Sequence, residues 1–382
     1  MGTIHETRAK TLLRSQKRID SWFLSRYGMN LYRGCEHNCT YCDGRAEKYH
    51  VEGTFGQDIT VKTNAIDLLQ QELARILKPG PWNQGFIMVG GGVGDSYQPA
   101  EEQYLLTRKT LELLRDQQLP VHILTKSTMV TRDIDLLQEI NTETQALVSM
   151  SFSSCDDHIS SFFEPGVPPP SKRVEALKEC KQAGLPIGMF LMPVIPFVTD
   201  TVPVMEQTLQ SALKIGVDFL IFSGMTIKEG RQKTYFSNVL KHHYPELLPA
   251  YETIYTGDKW GNATSSYYQS LHETFHTLLQ QYPIPPRIPL RFFHDIISDS
   301  DKVIVLLEHL HYLLQLQGKK SPYGYAAFSF SKQNEALSEI RDFQSIKGVG
   351  PTTERIIKEI LETGTSSYYA QLFSSYMRKA VV

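Results

Sequence analysis

Three of the chain's five cysteines, Cys35, Cys39 and Cys42, fall within the stretch GCEHNCTYCD (34–43). Thiolates are soft ligands, and clustered thiolates select zinc, copper(I) or iron–sulfur clusters. A structural zinc site needs four ligands, commonly from two C-x2-C pairs. Cys39 and Cys42 make one such pair and no second follows, so His37, His50 or Cys155 would have to complete a zinc shell. A cubane iron–sulfur cluster normally takes four cysteines. C-x3-C-x2-C supplies three, which leaves one iron open to another molecule. Cys155 and Cys180 read as ordinary buried cysteines.

These residues need a scaffold, and the chain provides a repeating one. Short apolar runs recur at MNLYRG (29–34), GFIMVG (85–90), PVHILTK (120–126), QALVSMSF (145–152), PIGMFLMP (186–193) and VDFLIFSG (217–224). Their length and their Gly, Pro or polar boundaries mark them as buried strands. Between them, residues 65–77, 103–116, 173–184 and 204–216 have helical periodicity, and Gly184 closes the third. Strands alternating with helices give parallel βα units. Right-handed crossovers then allow an open doubly wound sheet or a barrel, and both bind ligands at the carboxyl ends of the strands. The cysteine loop follows the first run directly, so it belongs to that end.

C-x3-C-x2-C with the aromatic Tyr41 before its last cysteine, placed after the first strand of a βα array, resembles the radical S-adenosylmethionine (SAM) superfamily. The resemblance implies a [4Fe–4S] cluster held by Cys35, Cys39 and Cys42, with SAM chelating the fourth iron. An electron from the cluster would cleave SAM to a 5′-deoxyadenosyl radical that takes hydrogen from a substrate. It also implies an α/β fold, a partial (β/α)6 TIM-type barrel with, in this chain, a mainly helical C-terminal region. A flavodoxin or ferredoxin would be the electron donor. Carried onto this sequence, Gly90, Gly91 and Gly92 of VGGGVGDSYQPAE (89–101) would present backbone to the SAM amino group. The family's acidic residue directly after the glycines is replaced by Val93, and the first carboxylate is Asp95, followed by Ser96. Lys126, at the end of the third strand, would hold the SAM carboxylate as a point charge. Ser149 and Ser151 share one face of the fourth strand, and either hydroxyl would reach the ribose or carboxylate. Met192, Pro193 and Val194 would pack on adenine. Tyr97 is a candidate radical relay.

Within the superfamily, NLYRGCEHNCTYCDGR, GDSYQPAE, LTKS, FFEPGVPPPSKR and MPVIPFVTD together resemble the spore photoproduct lyase-like branch, also described as DNA repair photolyase-like. That implies a nucleic-acid or nucleotide substrate. Photoproduct lyases return a hydrogen with help from a cysteine near the second-strand loop. GGGVGDS contains none.

The resemblance spans residues 28–230, after an N-terminal extension (1–27). Residues 231–334 form a mainly helical region in which the prolines of YPIPPRIPLRFF (282–293) exclude a regular helix. YGYAAFSF (323–330) alternates aromatics and fits a strand, a base-stacking surface or packed core. The last part, 335–382, resembles a helix–hairpin–helix motif: a helix ending near Phe343, the turn IKGVG, then Pro351 at the first helical position. Glycine N–H groups at a helix N-terminus form an anion site, so Lys347, Gly348, Gly350, Thr352 and Thr353 are candidate contacts to a DNA backbone. The same hairpin would equally serve to dock a protein, leaving radical chemistry on a protein or small molecule as a second reading. A non-catalytic nucleic-acid-binding iron–sulfur protein is a third.

With 39 Lys and Arg against 41 Asp and Glu, bulk charge gives no reason to coat nucleic acid. No apolar run approaches membrane-spanning length, and the basic N-terminal residues precede no signal-peptide core. Membrane association is not expected. Clustered cysteines without a disulfide framework suit a reducing cytoplasm.

Overall fold

A computed structural model of the protein describes residues 2–49, 51, 53–91, 93–333 and 340–377. The strands, in chain order, are β1 (Ile4–Thr7), β2 (Leu13–Asp20), β3 (Ser25–Met29), β4 (Tyr32–Arg33), β5 (Ile59–Lys62), β6 (Phe86–Gly90), β7 (Val121–Thr125), β8 (Ala146–Phe152), β9 (Ile187–Val194) and β10 (Phe219–Gly224). The helices between and after them are α1 (Ala65–Ile76), α2 (Glu101–Tyr104), α3 (Leu106–Asp116), α4 (Ile134–Glu143), α5 (Asp157–Phe163), α6 (Pro170–Gln182) and α7 (Val202–Ile215). The C-terminal region adds α8 (Arg231–His243), α9 (Leu248–Ile254), α10 (Ser265–Gln281), α11 (Asp299–Leu316), α12 (Tyr323–Phe330), α13 (Pro351–Thr363) and α14 (Ser367–Ser374).

Seven strands form one sheet in the order β10-β9-β8-β7-β6-β3-β2. Six run parallel, and β2 joins β3 antiparallel, pairing Leu13 with Met29 and Asp20 with Ser25. This is the partial (β/α)6 barrel, with one extra strand on its edge. The parallel strands are buried on both faces, as continuous apolar runs must be: every residue of Phe86–Gly90 and Val121–Thr125 is buried. Amphipathic stripes hold the outer helices against them, through Leu69 and Leu73 on α1 and Leu111 and Leu114 on α3. No helix among the described residues is long and apolar enough to cross a membrane.

Several boundaries differ from expectation. The first barrel strand is Ser25–Met29, not 29–34; Tyr32 and Arg33 instead pair with Val61 and Thr60 in a second, three-stranded sheet, β1-β5-β4. The N-terminal extension therefore contributes β2, and part of β3, to the main sheet. Residues 101–116 form two helices, because Leu105 adopts a left-handed conformation (φ 52°). The Glu101 carboxylate, from the start of α2, accepts from Thr107 N at 2.9 Å and so satisfies a first-turn N–H of α3. YGYAAFSF is a helix, α12, with Ala326, Ala327 and Phe330 buried. α11 is buried almost all round, and α10, α12, α13, α14 and β2 pack on it. Residues 334–339, where the first helix of the C-terminal hairpin was expected, lie outside the described residues, and Phe343 begins a short 3₁₀ turn.

Candidate functional site

A cavity of about 430 Å³ opens at the carboxyl ends of the parallel strands. Its wall contains Cys35, Cys39 and Cys42, together with Tyr41, Gly91, Asp95, Lys126, Ser151 and Pro193. Phe23 and Leu124 form part of its floor, and Tyr49, Ser223, Met225 and Thr226 complete the rim.

The cysteine loop leaves β4 through Gly34, whose φ of 82° is left-handed and whose missing Cβ would meet Asp58 O at 2.6 Å. Arg45 then ties the loop to itself: its guanidinium donates to Cys39 O at 3.1 Å and Asn38 O at 3.1 Å, and lies 3.5 Å over the Tyr235 ring. Gln98 accepts from Glu36 N at 2.9 Å, while Ala100 N donates to the Glu36 carboxylate at 2.7 Å. The loop is thus fixed to GDSYQPAE. Thr40 N donates to Phe163 O at 2.8 Å and Gly166 N to His37 O at 3.1 Å, which fixes it to the FFEPG segment as well.

The loop after β10 closes the ring. Asp43 pairs with Lys228 and accepts from Thr226 Oγ1 at 3.0 Å, while Gln232 donates to Tyr41 O at 2.8 Å and Asp43 at 3.1 Å. The segments that follow β6, β8 and β10 are therefore joined to the cysteine loop by hydrogen bonds rather than by contact alone.

Glu164 is the electrostatic centre of this arrangement. Its buried carboxylate accepts from the Tyr41 hydroxyl, from Lys126 Nζ at 3.0 Å, from Ser160 Oγ at 2.9 Å and from Arg173 at 2.5 Å. Burial alone would raise its pKa, but Arg173 and Lys126 override this and hold the carboxyl well below the usual range. Asp95 behaves similarly: burial opposes its charge, yet His37 at 3.3 Å, Thr125 Oγ1 at 2.7 Å and Lys126 N at 2.7 Å keep it ionised.

The three thiols are free and are not paired as disulfides. Burial pushes Cys39 up to about 12 and raises Cys35 and Cys42. They are not arranged as activated nucleophiles. Among the described residues, no group of three His, Cys, Asp or Glu side chains is placed to hold one metal ion. All three cysteines stand in the wall of the one cavity. Cys155 is outside that wall, its backbone N bonded to Thr208 Oγ1 at 3.0 Å, and His50 is outside the described residues.

Other expected residues fall elsewhere. Gly92 lies outside the described residues. Gly90 and Gly91 are both left-handed, and a Cβ on Gly90 would meet Leu124 O at 2.5 Å. Ser96 is buried below the rim, its carbonyl accepting from Thr107 Oγ1. Ser149 shares a face with Ser151 but sits deeper, 2.8 Å from His122 Nε2 in the barrel floor. Tyr97 is fully buried outside the cavity wall, near Asp133. In the C-terminal hairpin, Gly348 is left-handed (φ 88°) and Pro351 starts α13, with Lys347 and Thr352 exposed and Thr353 buried. Gly350 precedes Pro351 in extended conformation. This turn packs beside α12 and takes no part in the cavity.

Sequence reasoning assigned no role to Glu164, Arg173, Asp43, Lys228 or Gln232. FFEPGVPPPSKR contains the first two, and only the fold brings them to Tyr41.

Residues 29–207 match the model of the Radical SAM superfamily. An uncharacterized protein of Mycobacterium tuberculosis is 28% identical over 295 residues, which cover 74% of this chain and 84% of that protein. One of Methanocaldococcus jannaschii is 29% identical over 231 residues, 60% of this chain and 80% of the other. Spore photoproduct lyase complexed with dinucleoside spore photoproduct superposes with a TM-score of 0.55 at 18% identity, covering 73% of this chain and 79% of that one. A variant of that lyase with bound AdoMet gives 0.52 at 16% identity, over the same shares of both chains. Residues 29–207, which hold the cysteine loop and most of the barrel, thus match a radical SAM domain, and the likeness to the lyase, at 18% identity, bears on the fold.

Proposed function

We propose that this chain uses a [4Fe–4S] cluster and SAM to start radical chemistry on a nucleic acid or nucleotide. The observation that carries the first part is the single cavity shared by Cys35, Cys39, Cys42, Gly91, Asp95 and Lys126 at the strand ends. Three soft ligands with no fourth thiol in the wall, among the described residues, fit a cluster that keeps one coordination position open. When bound, the cluster and SAM together supply the electron transfer and the radical.

The chain's own residues bind and orient. Cys35, Cys39 and Cys42 lose their protons on loading, and that loss is easier once iron replaces the proton. The Gly90–Gly91 turn lets backbone approach the SAM amino group, and Asp95 fixes that turn's far side through Lys126 N. Lys126 has three N–H donors. Glu164 and the Ser151 carbonyl (3.3 Å) take two of them, leaving one for a carboxylate. Ser151 offers a hydroxyl from the wall, and Met192 and Pro193 an apolar surface for adenine. Phe23 and Leu124 close the floor against water.

The nucleic-acid reading is supported by the lyase-like fold and by the Gly348–Pro351 turn, whose helix N-terminus suits a phosphate. Dimer-lyase chemistry is not part of the proposal, since the wall offers no further cysteine to return a hydrogen. A flavodoxin- or ferredoxin-type protein is the proposed electron donor. Anaerobic SAM cleavage measured with damaged DNA, with undamaged DNA and without DNA tests the substrate class. Stimulation by either DNA supports the reading, and equal rates in all three count against it.

A further inference from the structure

The proline-rich segment that follows α10 crosses under the barrel. Pro285 O accepts from Leu220 N at 2.8 Å, at the start of β10, and Ile296 O accepts from Gly85 N at 2.7 Å, just before β6. The segment therefore straps the amino ends of the strands, on the face opposite the cysteines. Beneath it lies a second cavity of about 510 Å³, between β2, α11 and α12.

Arg287, on the strap, lines this cavity and is only 3% exposed. Its guanidinium carbon lies 3.3 Å from the Tyr312 ring centroid and 4.6 Å from that of Trp22. Ring contacts of this kind use the guanidinium face and leave its edge for polar contacts. That edge makes one hydrogen bond, to Pro286 O at 2.9 Å, and no described carboxylate lies within 4.0 Å of it. The nearby acids are committed elsewhere. Glu308 pairs with Arg18 at 3.4 Å, and Asp20 accepts from Trp22 N at 2.8 Å and Phe23 N at 3.2 Å. One further buried polar atom in this wall, His311 Nδ1, has no partner, and the Tyr312 hydroxyl interacts electrostatically with the Arg287 guanidinium itself.

A rigid guanidinium with a free edge is built for a planar or tetrahedral oxyanion. The cavity mouth adds an aromatic surface. Phe328 is 43% exposed in its wall, and Tyr325, 48% exposed, follows on the same face of α12. Basic groups interleave with both rings: Lys332 Nζ lies 4.1 Å and Arg18 Cζ 6.0 Å from the Phe328 centroid, and Lys347 Nζ 5.9 Å from that of Tyr325. Aromatic rings separated by cations are how proteins stack bases while following a phosphate backbone.

We propose that the cavity under the barrel floor is a nucleotide site, with Arg287 holding a phosphate and Phe328 stacking the adjoining base. It is separate from the SAM cavity and does not depend on the chemistry proposed there. The same recognition fits a free nucleotide or one residue of a single strand, and the aromatic stripe continues outward for the latter.

The test is calorimetric titration of the full chain, without cluster or SAM, with inorganic phosphate, dTMP and a ten-residue oligothymidylate. The variants are Arg287→Lys, Arg287→Met, Phe328→Ala and Tyr325→Ala. Arg287→Met should weaken phosphate and dTMP at least tenfold, with Arg287→Lys intermediate. Phe328→Ala, at an exposed position where folding is safe, should weaken dTMP severalfold and leave phosphate unchanged. Equal affinity for dTMP and the oligomer identifies the free nucleotide as ligand. Tighter binding of the oligomer that Tyr325→Ala removes identifies the strand. The proposal is overturned if neither dTMP nor the oligomer binds at millimolar concentration, or if binding is unchanged in Phe328→Ala and in whichever Arg287 variant folds.

Discussion

Glu164→Gln should destabilise the protein far more than a surface ion pair would allow. Glu164 and Arg173 side chains are both fully buried, and their pairing also orders Lys126 and Tyr41. Removing one partner of a buried charge pair leaves the other uncompensated, at a cost of about 3–5 kcal/mol. The glutamine oxygen still accepts one hydrogen bond, so the expected loss is at the lower end, about 3 kcal/mol. The assay is urea denaturation of the cluster-free chain, followed by tryptophan fluorescence, for Glu164→Gln, Arg173→Met and the double variant. The two losses should not add, with a coupling of about 2 kcal/mol. The pH dependence has a definite sign. Glu164 has a depressed folded pKa, so its stabilisation is complete above the ordinary glutamate value of about 4.3 and fades as pH falls towards the folded value. The gap between wild type and Glu164→Gln should therefore be full at neutral pH and narrow in acid. A loss under about 1 kcal/mol, the range of an exposed pair, would refute the assignment of Glu164 as the buried anchor.

Three further outcomes follow from the site. Ser149→Ala should cost about 1–3 kcal/mol by leaving buried His122 Nε2 unpaired, while SAM affinity, read by calorimetry on reconstituted protein, stays unchanged; Ser151→Ala should show the opposite pattern. Tyr97→Phe should leave SAM cleavage within twofold, because Tyr97 is absent from the cavity wall; a drop of tenfold or more would restore it as a relay. Gly348→Ala should lower stability by at least about 1 kcal/mol through its left-handed φ and the Tyr325 ring 2.5 Å from the new methyl, and a gel shift would show whether DNA retention falls with it.

The parallel strands were legible because each is a continuous apolar run between breakers, and that pattern follows from burial on both faces. The first strand was misplaced for the same reason. SRYGM is half polar, whereas the more apolar MNLYRG overlaps only its last residue. YGYAAFSF alternates like a strand, but eight residues cannot separate a period of two from a helix whose one side faces α11. Within the site, the cysteines were readable from spacing, and Lys126 and Ser151 from their place at strand ends. Ser149 was not separable from Ser151, since a period of two gives the face and not the depth. Glu164 was out of reach: its partners Tyr41 and Arg173 lie 123 and 9 residues away, and only the folded barrel makes them neighbours.

The central claim is that Cys35, Cys39 and Cys42 hold a cluster that cleaves SAM. Anaerobically reconstituted protein should carry about four irons per chain, the content of one cubane cluster, and release 5′-deoxyadenosine from SAM when reduced with dithionite. Serine at any one of the three positions should abolish both the iron content and the release. A wild-type chain that takes up a single zinc in place of iron, or that loads a cluster yet leaves SAM intact under reduction, would contradict the account.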